Sequence, residues 1–196
     1  GVGPSSSHTL GPWRAAERFL EELKDEAILN DITRVKVDLY GSLSLTGKGH
    51  ATDLAVMLGL SGQDPEYIPV EDIAGIIKKI ENTNEINLGN QKVIPFFFLQ
   101  DIVFNKDFLP FHANGLKFTA YKSDDSEYES TFYSIGGGFV VKEERTNAKE
   151  KKAIKCAFPF PIQNAAELLN YTVTENKSIS EIVYQNEISM RPEAEV

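Results

Sequence analysis

A run of hydroxyl side chains and one histidine stands just before the first predicted helix. The run covers residues 3–12 and reads GPSSSHTLGP, and its polar residues are Ser5, Ser6, Ser7, His8 and Thr9. The first N–H groups of a helix lack partners and carry the positive end of its dipole, so an anion is favoured there. Hydroxyls add donors for a carboxylate or a phosphate, and the imidazole titrates near neutral pH. The run predicts an anion-binding or proton-transfer site. The alternative is that Ser7 or Thr9 only caps the helix.

A second polar segment, residues 41–53, reads GSLSLTGKGHATD and lies between a predicted strand and a predicted helix. It resembles a phosphate-binding loop, but five residues separate Gly41 from Gly47 where that motif has four, and a glycine follows Lys48 where Ser or Thr is needed. We therefore exclude an ATPase of this type. The segment instead predicts a tight turn that presents Lys48 as a fixed cation and His50 as a proton acceptor. The alternative is a surface turn in which Lys48 is solvated and His50 caps the next helix.

Three further segments are less specific when each is taken alone. Residues 133–139, YSIGGGF, indicate a flexible turn, although three glycines also permit close backbone approach. His112, beside an Asn-Gly turn in residues 111–115, is predicted to be structural. The aromatic run at residues 96–98 is predicted to be core rather than a platform for nucleic-acid bases, because no basic residues interleave with it.

The hydrophobic periodicity predicts alternating helices and strands. Predicted helices cover residues 11–27, 52–58 (buried nearly all round and capped by Thr52 or Asp53), 73–80, 165–171 (capped by Asn164) and 178–188 (with a capping box at Ser178 and Glu181). Predicted strands cover residues 35–39, 116–121, 128–135 and 139–141, with a hairpin of residues 85–88 and 93–96 around Gly89-Asn90. This pattern predicts an α/β fold: a mixed sheet with packed helices, then a helical C-terminal tail. We expect one domain over residues 1–145, a linker over 146–163 and a helical connection over 164–196.

Composition excludes several classes of protein. Of the 196 residues, 41% are hydrophobic and 25% are charged, which argues against global disorder. The formal charge of −9 argues against nucleic-acid binding, and the lack of a long apolar run or secretory leader predicts a cytoplasmic protein that does not bind a membrane. The single cysteine, Cys156, cannot form an internal disulfide or supply a thiolate metal site by itself. Because the chain begins at Gly1 and stops within a polar, helix-compatible stretch, we interpret it as part of a longer polypeptide.

Together, the segments at residues 3–12, 41–53, 111–115 and 133–139 resemble the β domain of the bacterial iron–sulfur L-serine dehydratases. The resemblance covers most of the chain, and related domains are similar to the allosteric substrate-binding domain of some phosphoglycerate dehydrogenases. It implies conversion of L-serine to pyruvate and ammonia by a homodimer without pyridoxal phosphate. It also implies a [4Fe-4S] cluster held by three cysteines of an α domain, in the same or a partner chain, and no metal ligand in this chain. The β domain alone is expected to be inactive.

Under this resemblance we expect the polar segments to form one wall of the serine site. His50 is the candidate base, His8 is a second catalytic candidate, and Lys48 would hold the substrate carboxylate. The hydroxyls of Ser5, Ser6, Ser7 and Thr9 would orient the carboxylate or the departing hydroxyl. Two alternatives remain open: a regulatory or docking module that senses serine or an anion, and a purely structural dimerisation domain. Acceptance of threonine, and fusion of the α domain, are also open.

Overall fold

A computed structural model describes residues 5–143, 158–162 and 164–189. The chain divides into two compact units, residues 1–144 and residues 145–196. Residues 146–157 and 163 of the predicted linker lie outside the described residues, so the linker remains a prediction.

The first unit alternates helices and strands, as predicted. Its helices are α1 (Gly11–Asp25), α2 (Ser42–Leu45), α3 (Thr52–Leu60), α4 (Val70–Thr83) and α5 (Phe98–Asp101). Its strands are β1 (Ile32–Leu39), β2 (Glu85–Leu88), β3 (Lys92–Pro95), β4 (Ile102–Phe104), β5 (Gly115–Lys122), β6 (Glu127–Gly136) and β7 (Phe139–Lys142). A π-helical turn, Ser6–Leu10, leads directly into α1, and 3₁₀ turns cover Leu29–Asp31 and Gly47–His50.

The main sheet is mixed, which confirms the predicted α/β class. Its five strands have the order β4-β1-β5-β6-β7, and only the β1–β4 pair is parallel. Strands β2 and β3 form a separate antiparallel hairpin whose turn residues, Gly89 and Asn90, both have φ of +58°. This left-handed conformation suits a glycine and an asparagine, so the predicted hairpin is confirmed. None of the described helices is long and apolar enough to cross a membrane.

The core lies where α1 packs against α3 and against β6 and β7. Helix α1 buries an apolar face at helical spacing that includes Trp13, Phe19 and Leu23. Helix α3 is buried on nearly all sides, as its sequence predicts. Because α3 follows directly after the Gly47–His50 turn, its packing against α1 fixes where that turn lies.

Some local predictions are wrong. Helix α1 ends at Asp25, and Ala27, predicted within it, has φ of +56°. Neither Thr52 nor Asp53 is the N-cap of α3, which is Ala51, although the Asp53 side chain accepts the N–H of Leu54 within the first turn (3.0 Å). The aromatic run at residues 96–98 is only partly core: Phe96 is fully buried, but Phe97 is 43% exposed.

The second unit contains helices α6 (Ala165–Thr174) and α7 (Ile179–Ile188). Both predicted caps are confirmed: Asn164 accepts a hydrogen bond from the Glu167 amide (3.0 Å), and Ser178 and Glu181 form a capping box. The side chain of Asn186 in α7 bonds both the N–H and the carbonyl of Phe160 (2.9 and 2.7 Å).

The α1–α3 contact can be tested at Gly59 in α3. An added Cβ there would lie 2.7 Å from the Ala16 Cβ and 2.7 Å from the Trp13 carbonyl oxygen. We expect Gly59→Ala to lower the free energy of unfolding by about 1–3 kcal/mol, because the Trp13 backbone and the Ala16 side chain must both shift to admit the added Cβ. Urea denaturation followed by circular dichroism would measure this.

Gly75→Ala is the matched control, since Gly75 lies within α4 and an added Cβ meets nothing within 4 Å. We expect it to stabilise the fold by about 0.4–1 kcal/mol, because alanine restricts the unfolded chain more than glycine does. Equal effects of the two substitutions would contradict the close contact between α1 and α3.

Candidate functional site

The N-terminal turn and the Gly47–His50 turn are joined into one structure. The Thr9 hydroxyl donates to the carbonyl oxygen of His50 (3.0 Å), and the Thr52 hydroxyl donates to that of His8 (2.6 Å). The ring centroids of the two histidines lie 4.9 Å apart. Segments about 40 residues apart in sequence therefore present their imidazoles side by side, as the proposed site requires.

A line of hydrogen bonds runs through His8. Ser5 Oγ lies 3.1 Å from Ser7 Oγ, Ser7 Oγ lies 2.9 Å from His8 Nδ1, and His8 Nε2 lies 2.9 Å from Ser42 Oγ. A hydroxyl can donate and accept, so both ring nitrogens have suitable partners. We refer to Ser5, Ser7, His8, Ser42 and His50 as the histidine site.

The imidazole of His8 is held in its neutral form. Burial lowers its pKa from the ordinary 6.5, the nearby His50 lowers it further, and the contact with Ser42 partly opposes these effects. Near neutral pH, His8 can therefore both donate one hydrogen bond and accept another.

His50 is arranged as a proton acceptor. Its Nδ1 lies 2.9 Å from the carbonyl oxygen of Thr46. A carbonyl can only accept, so Nδ1 carries the hydrogen, and in the neutral ring Nε2 keeps its lone pair. Among the described residues, no group forms a hydrogen bond with this Nε2. The lone pair is available to a substrate.

The position of Ser42 depends on Gly41, which ends the sharp turn after β1. Gly41 has φ of +54°, and an added Cβ would lie only 2.2 Å from the Ala113 carbonyl oxygen. That carbonyl accepts the Ser42 N–H (2.8 Å), and the Gly41 N–H donates to the Asp107 carbonyl (2.8 Å). The loop before β5 therefore fixes Ser42 against His8.

The segment at residues 133–139 also holds the N-terminal turn in place, through Ser134. The Ser134 hydroxyl, fully buried, donates to the carbonyl oxygen of Ser7 (2.7 Å), and Asn114 bonds the Ser134 backbone. An added Cβ at Gly11 would lie 1.9 Å from Ser134 Oγ. The sequence of this segment, taken alone, indicates only a flexible turn, but in the fold the segment also holds the N-terminal turn in place. His112 accepts the N–H of Asn114 (3.0 Å), a structural contact of the kind expected for it.

The other predicted site residues lie at the edge of this arrangement. Ser6 is exposed, and its carbonyl accepts the Gly11 N–H at the junction with α1. Lys48 is exposed, and its Nζ lies 5.1 Å from the centre of the Phe104 ring. Burial raises the pKa of the Asp53 carboxyl, and the Lys48 charge opposes that rise. Lys48 shares a turn with His50 without joining the hydrogen-bonded line.

Sequence reasoning missed Ser42, Thr52 and Ser134 as residues that build the site. Each contacts the N-terminal turn from a distant part of the chain. The sequence offered one clue to them, since all three lie within the polar or glycine-rich segments already identified.

No group of three or more His, Cys, Asp or Glu side chains that could hold a metal ion occurs in the part of the chain that is described. Cys156 lies outside that part. The described residues therefore do not fit an iron–sulfur cluster as its ligands. What they can do is accept a proton at His50 Nε2 and donate hydrogen bonds from a row of hydroxyls.

Comparison with known proteins identifies the family and the relatives of this chain. Residues 1–145 match the family described as serine dehydratase beta chain. The whole chain is 40% identical to L-serine dehydratase 1 of Escherichia coli and 39% identical to the L-serine dehydratase of Streptomyces coelicolor. It is also 39% identical, over 97% of its length, to the L-serine dehydratase of Haemophilus influenzae. The chain spans 42–44% of the length of these three relatives.

The titration of His8 tests the contact between the two histidines. We expect its pKa to lie below 6.5 and to rise in His50→Gln, because that substitution removes a neighbouring imidazole that disfavours the charged form of His8 when it is itself protonated. Proton–nitrogen correlation spectra of the imidazoles during a pH titration would measure both values. An unchanged His8 pKa in His50→Gln would contradict the electrostatic contact.

The same shift predicts how stability depends on pH. The unfolded chain protonates this ring at a higher pH than the folded chain does, so protonation favours unfolding. The stability contributed by neutral His8 is therefore present above about pH 6.5 and is lost as the pH falls. We expect the free energy of unfolding to fall less on acidification in His8→Gln than in the wild type. Urea denaturation at a series of pH values would measure this.

The contact between Gly11 and Ser134 gives a third test. We expect Gly11→Ala to lower the free energy of unfolding by about 1–3 kcal/mol and to shift the imidazole signals of His8, because the N-terminal turn must move. Gly49→Ala is the control, since an added Cβ there meets nothing within 4 Å. Unchanged His8 signals in Gly11→Ala would contradict the supporting role of Ser134.

Proposed function

Because this chain belongs to the serine dehydratase beta chain family, we propose that it is the β domain of an L-serine dehydratase, and that the histidine site is its contribution to the serine-binding site. The observation that carries this proposal is the arrangement of His50. Its Nδ1 is bonded to the Thr46 carbonyl, its Nε2 keeps a lone pair, and its ring lies 4.9 Å, centroid to centroid, from that of His8.

His50 is the base in this proposal. Its Nε2 takes the Cα proton of L-serine, the electrons of that C–H bond form the Cα=Cβ double bond, and the hydroxyl leaves Cβ with the electrons of the C–O bond. The product, aminoacrylate, hydrolyses to pyruvate and ammonia. A neutral imidazole is suited to this transfer because its free ring nitrogen can accept a proton. Hydroxide is a poor leaving group, and Lewis-acid assistance belongs to the iron–sulfur centre that the family resemblance implies.

The remaining polar residues bind the substrate in this proposal. The hydroxyls of Ser5, Ser6 and Ser7 donate to the carboxylate or to the departing hydroxyl, and the Lys48 ammonium attracts the carboxylate. His8 holds the hydroxyl line in place and acts with His50. Thr9 contributes by tying the turn to the His50 carbonyl, since its hydroxyl is engaged there.

The rest of the enzyme completes the proposal. The curated relatives are more than twice as long as this chain, which supports a further domain. We assign the [4Fe-4S] cluster to that α domain, with no pyridoxal phosphate. The further proposals are a cytoplasmic homodimer and an isolated β domain without activity.

Substitution of His50 tests the proposed base. In the complete enzyme we expect His50→Gln to reduce kcat by about 10²–10⁴-fold, because general-base catalysis contributes that much. Steady-state pyruvate formation would measure kcat, with iron content and circular dichroism as checks on the cluster and fold. Near-normal turnover with an intact cluster would remove His50 from the catalytic role.

Lys48→Met tests carboxylate binding, with Lys78→Met on the exposed side of α4 as the matched control. We expect a higher KM for L-serine only in Lys48→Met, because only that ammonium lies on the turn of the histidine site.

Titration of the isolated chain with L-serine distinguishes the proposed catalytic function from the alternative sensing function. Clear saturable binding without the α domain would favour a sensing module over part of a composite active site.

A further inference from the structure

We propose that Phe104 is a positioning residue that holds the ammonium group of Lys48 on the turn of the histidine site, where that group binds an anion. The identification of the anion as the carboxylate of L-serine rests on the proposed function. The hold of Phe104 on Lys48 rests only on the geometry of this chain.

The main sheet fixes the position of Phe104. It is the last residue of β4 and lies opposite Leu39, the last residue of β1, in the parallel pair. Both the backbone N–H and the side-chain amide of Asn105 donate to the Leu39 carbonyl (2.9 and 3.3 Å), so the two strand ends are tied together. Because β1 leads into the segment that carries Lys48 and His50, Phe104 lies at the end of the sheet where that segment begins. Ligands of open α/β sheets commonly bind at this carboxyl end of the strands.

The Gly47–His50 turn lies directly against the Phe104 ring. Gly47 is buried, and an added Cβ there would lie 3.3 Å from Phe104 Cε1 and 3.1 Å from the Thr52 hydroxyl oxygen. The glycine therefore lets the backbone of the turn come close to the ring. Phe104 is half-buried and packs on the hydrophobic core, so the ring is held in place while it contacts the turn.

Lys48 meets this ring with its charged end. Its Nζ lies 5.1 Å from the ring centre, within the roughly 6 Å over which the negative face of an aromatic ring attracts a cation. A free lysine side chain has many rotamers. A contact that restricts them beforehand reduces the entropy that is lost when an anion binds. The ring therefore prepares the ammonium for binding.

An aromatic ring suits an ammonium that must remain available to an anion. Within the described part of the chain, no carboxylate forms an ion pair with Lys48. Asp53 interacts with the Lys48 charge only at longer range. A carboxylate in direct contact would compete with the substrate carboxylate for the same N–H donors, whereas the ring carries no formal negative charge. Phe104 therefore orients the ammonium without neutralising it.

Nuclear magnetic resonance of the isotope-labelled 196-residue chain tests this contact without catalysis. Protons over the face of an aromatic ring are shielded, so we expect the Hε signals of Lys48 to lie upfield of those of Lys78, an exposed lysine on α4. Phe104→Leu should move the Lys48 signals to the Lys78 position, and Lys48→Met assigns them. Lys48 signals at the Lys78 position in the wild type would overturn the inference.

Fluorinated phenylalanines at position 104 test the electrostatic attraction in the complete enzyme. Each added fluorine weakens the negative face of the ring and changes its size little. We expect KM for L-serine to rise stepwise with fluorination, to be about twofold to fivefold higher in Phe104→Leu, and kcat to change far less. In Lys48→Met the same fluorines should leave KM unchanged, because the cation is absent. A purely structural Phe104 would instead show no response to fluorination.

The outcomes separate this inference from the proposed function. If Lys48→Met raises KM but fluorination at position 104 does not, the positioning role of Phe104 is overturned and the proposed role of Lys48 stands. The same rise on fluorination with and without the Lys48 ammonium would also overturn that role. Shielded Lys48 signals together with an unchanged KM in Lys48→Met would support the hold of Phe104 on Lys48 and contradict the proposed binding of the serine carboxylate.

Discussion

Two hydrogen bonds between hydroxyls and backbone carbonyls hold the site together, one from Thr9 to His50 and one from Thr52 to His8. Each joins the N-terminal turn to the segment that follows β1, and they run in opposite directions across the junction. They act together with the packing of α1 against α3 and with the contact between His8 and Ser42. The pairing of the imidazoles, the lowered pKa of His8 and the line of hydroxyls all depend on this junction.

The same junction explains why sequence patterns predicted the caps of α3 wrongly. Thr52 and Asp53 are residues that favour a helix start, and local propensity assigns them that role. In the fold, the Thr52 hydroxyl bonds the distant His8 carbonyl instead, and Ala51 precedes the helix with positive φ. A tertiary contact has replaced a local one. The caps of α6 and α7, which bond only residues of their own helix start, were predictable from sequence.

Helices and strands with a strong hydrophobic periodicity were predicted well, and short elements were not. The amphipathic α1, the hairpin of β2 and β3, and the strands β5 to β7 carry repeating apolar positions. Strand β4 has three residues, and its parallel pairing with β1 depends on the long crossover between them, so no local pattern marks it. In the site, both histidines were identifiable from residue type and spacing. Ser42 and Ser134 were not, because their importance comes from contacts with the N-terminal turn.

The bond from Ser134 to the Ser7 carbonyl spans 127 positions of the chain. During synthesis the N-terminal turn emerges first, but its last supporting strand emerges only after most of the unit has been made. Contacts of such long sequence separation form slowly, because a large loop must close before they contribute. We therefore expect the cluster of polar side chains to be completed among the final events of folding. Partly folded forms of this domain would contain the helices without the paired imidazoles, so the histidine site forms only together with the native topology.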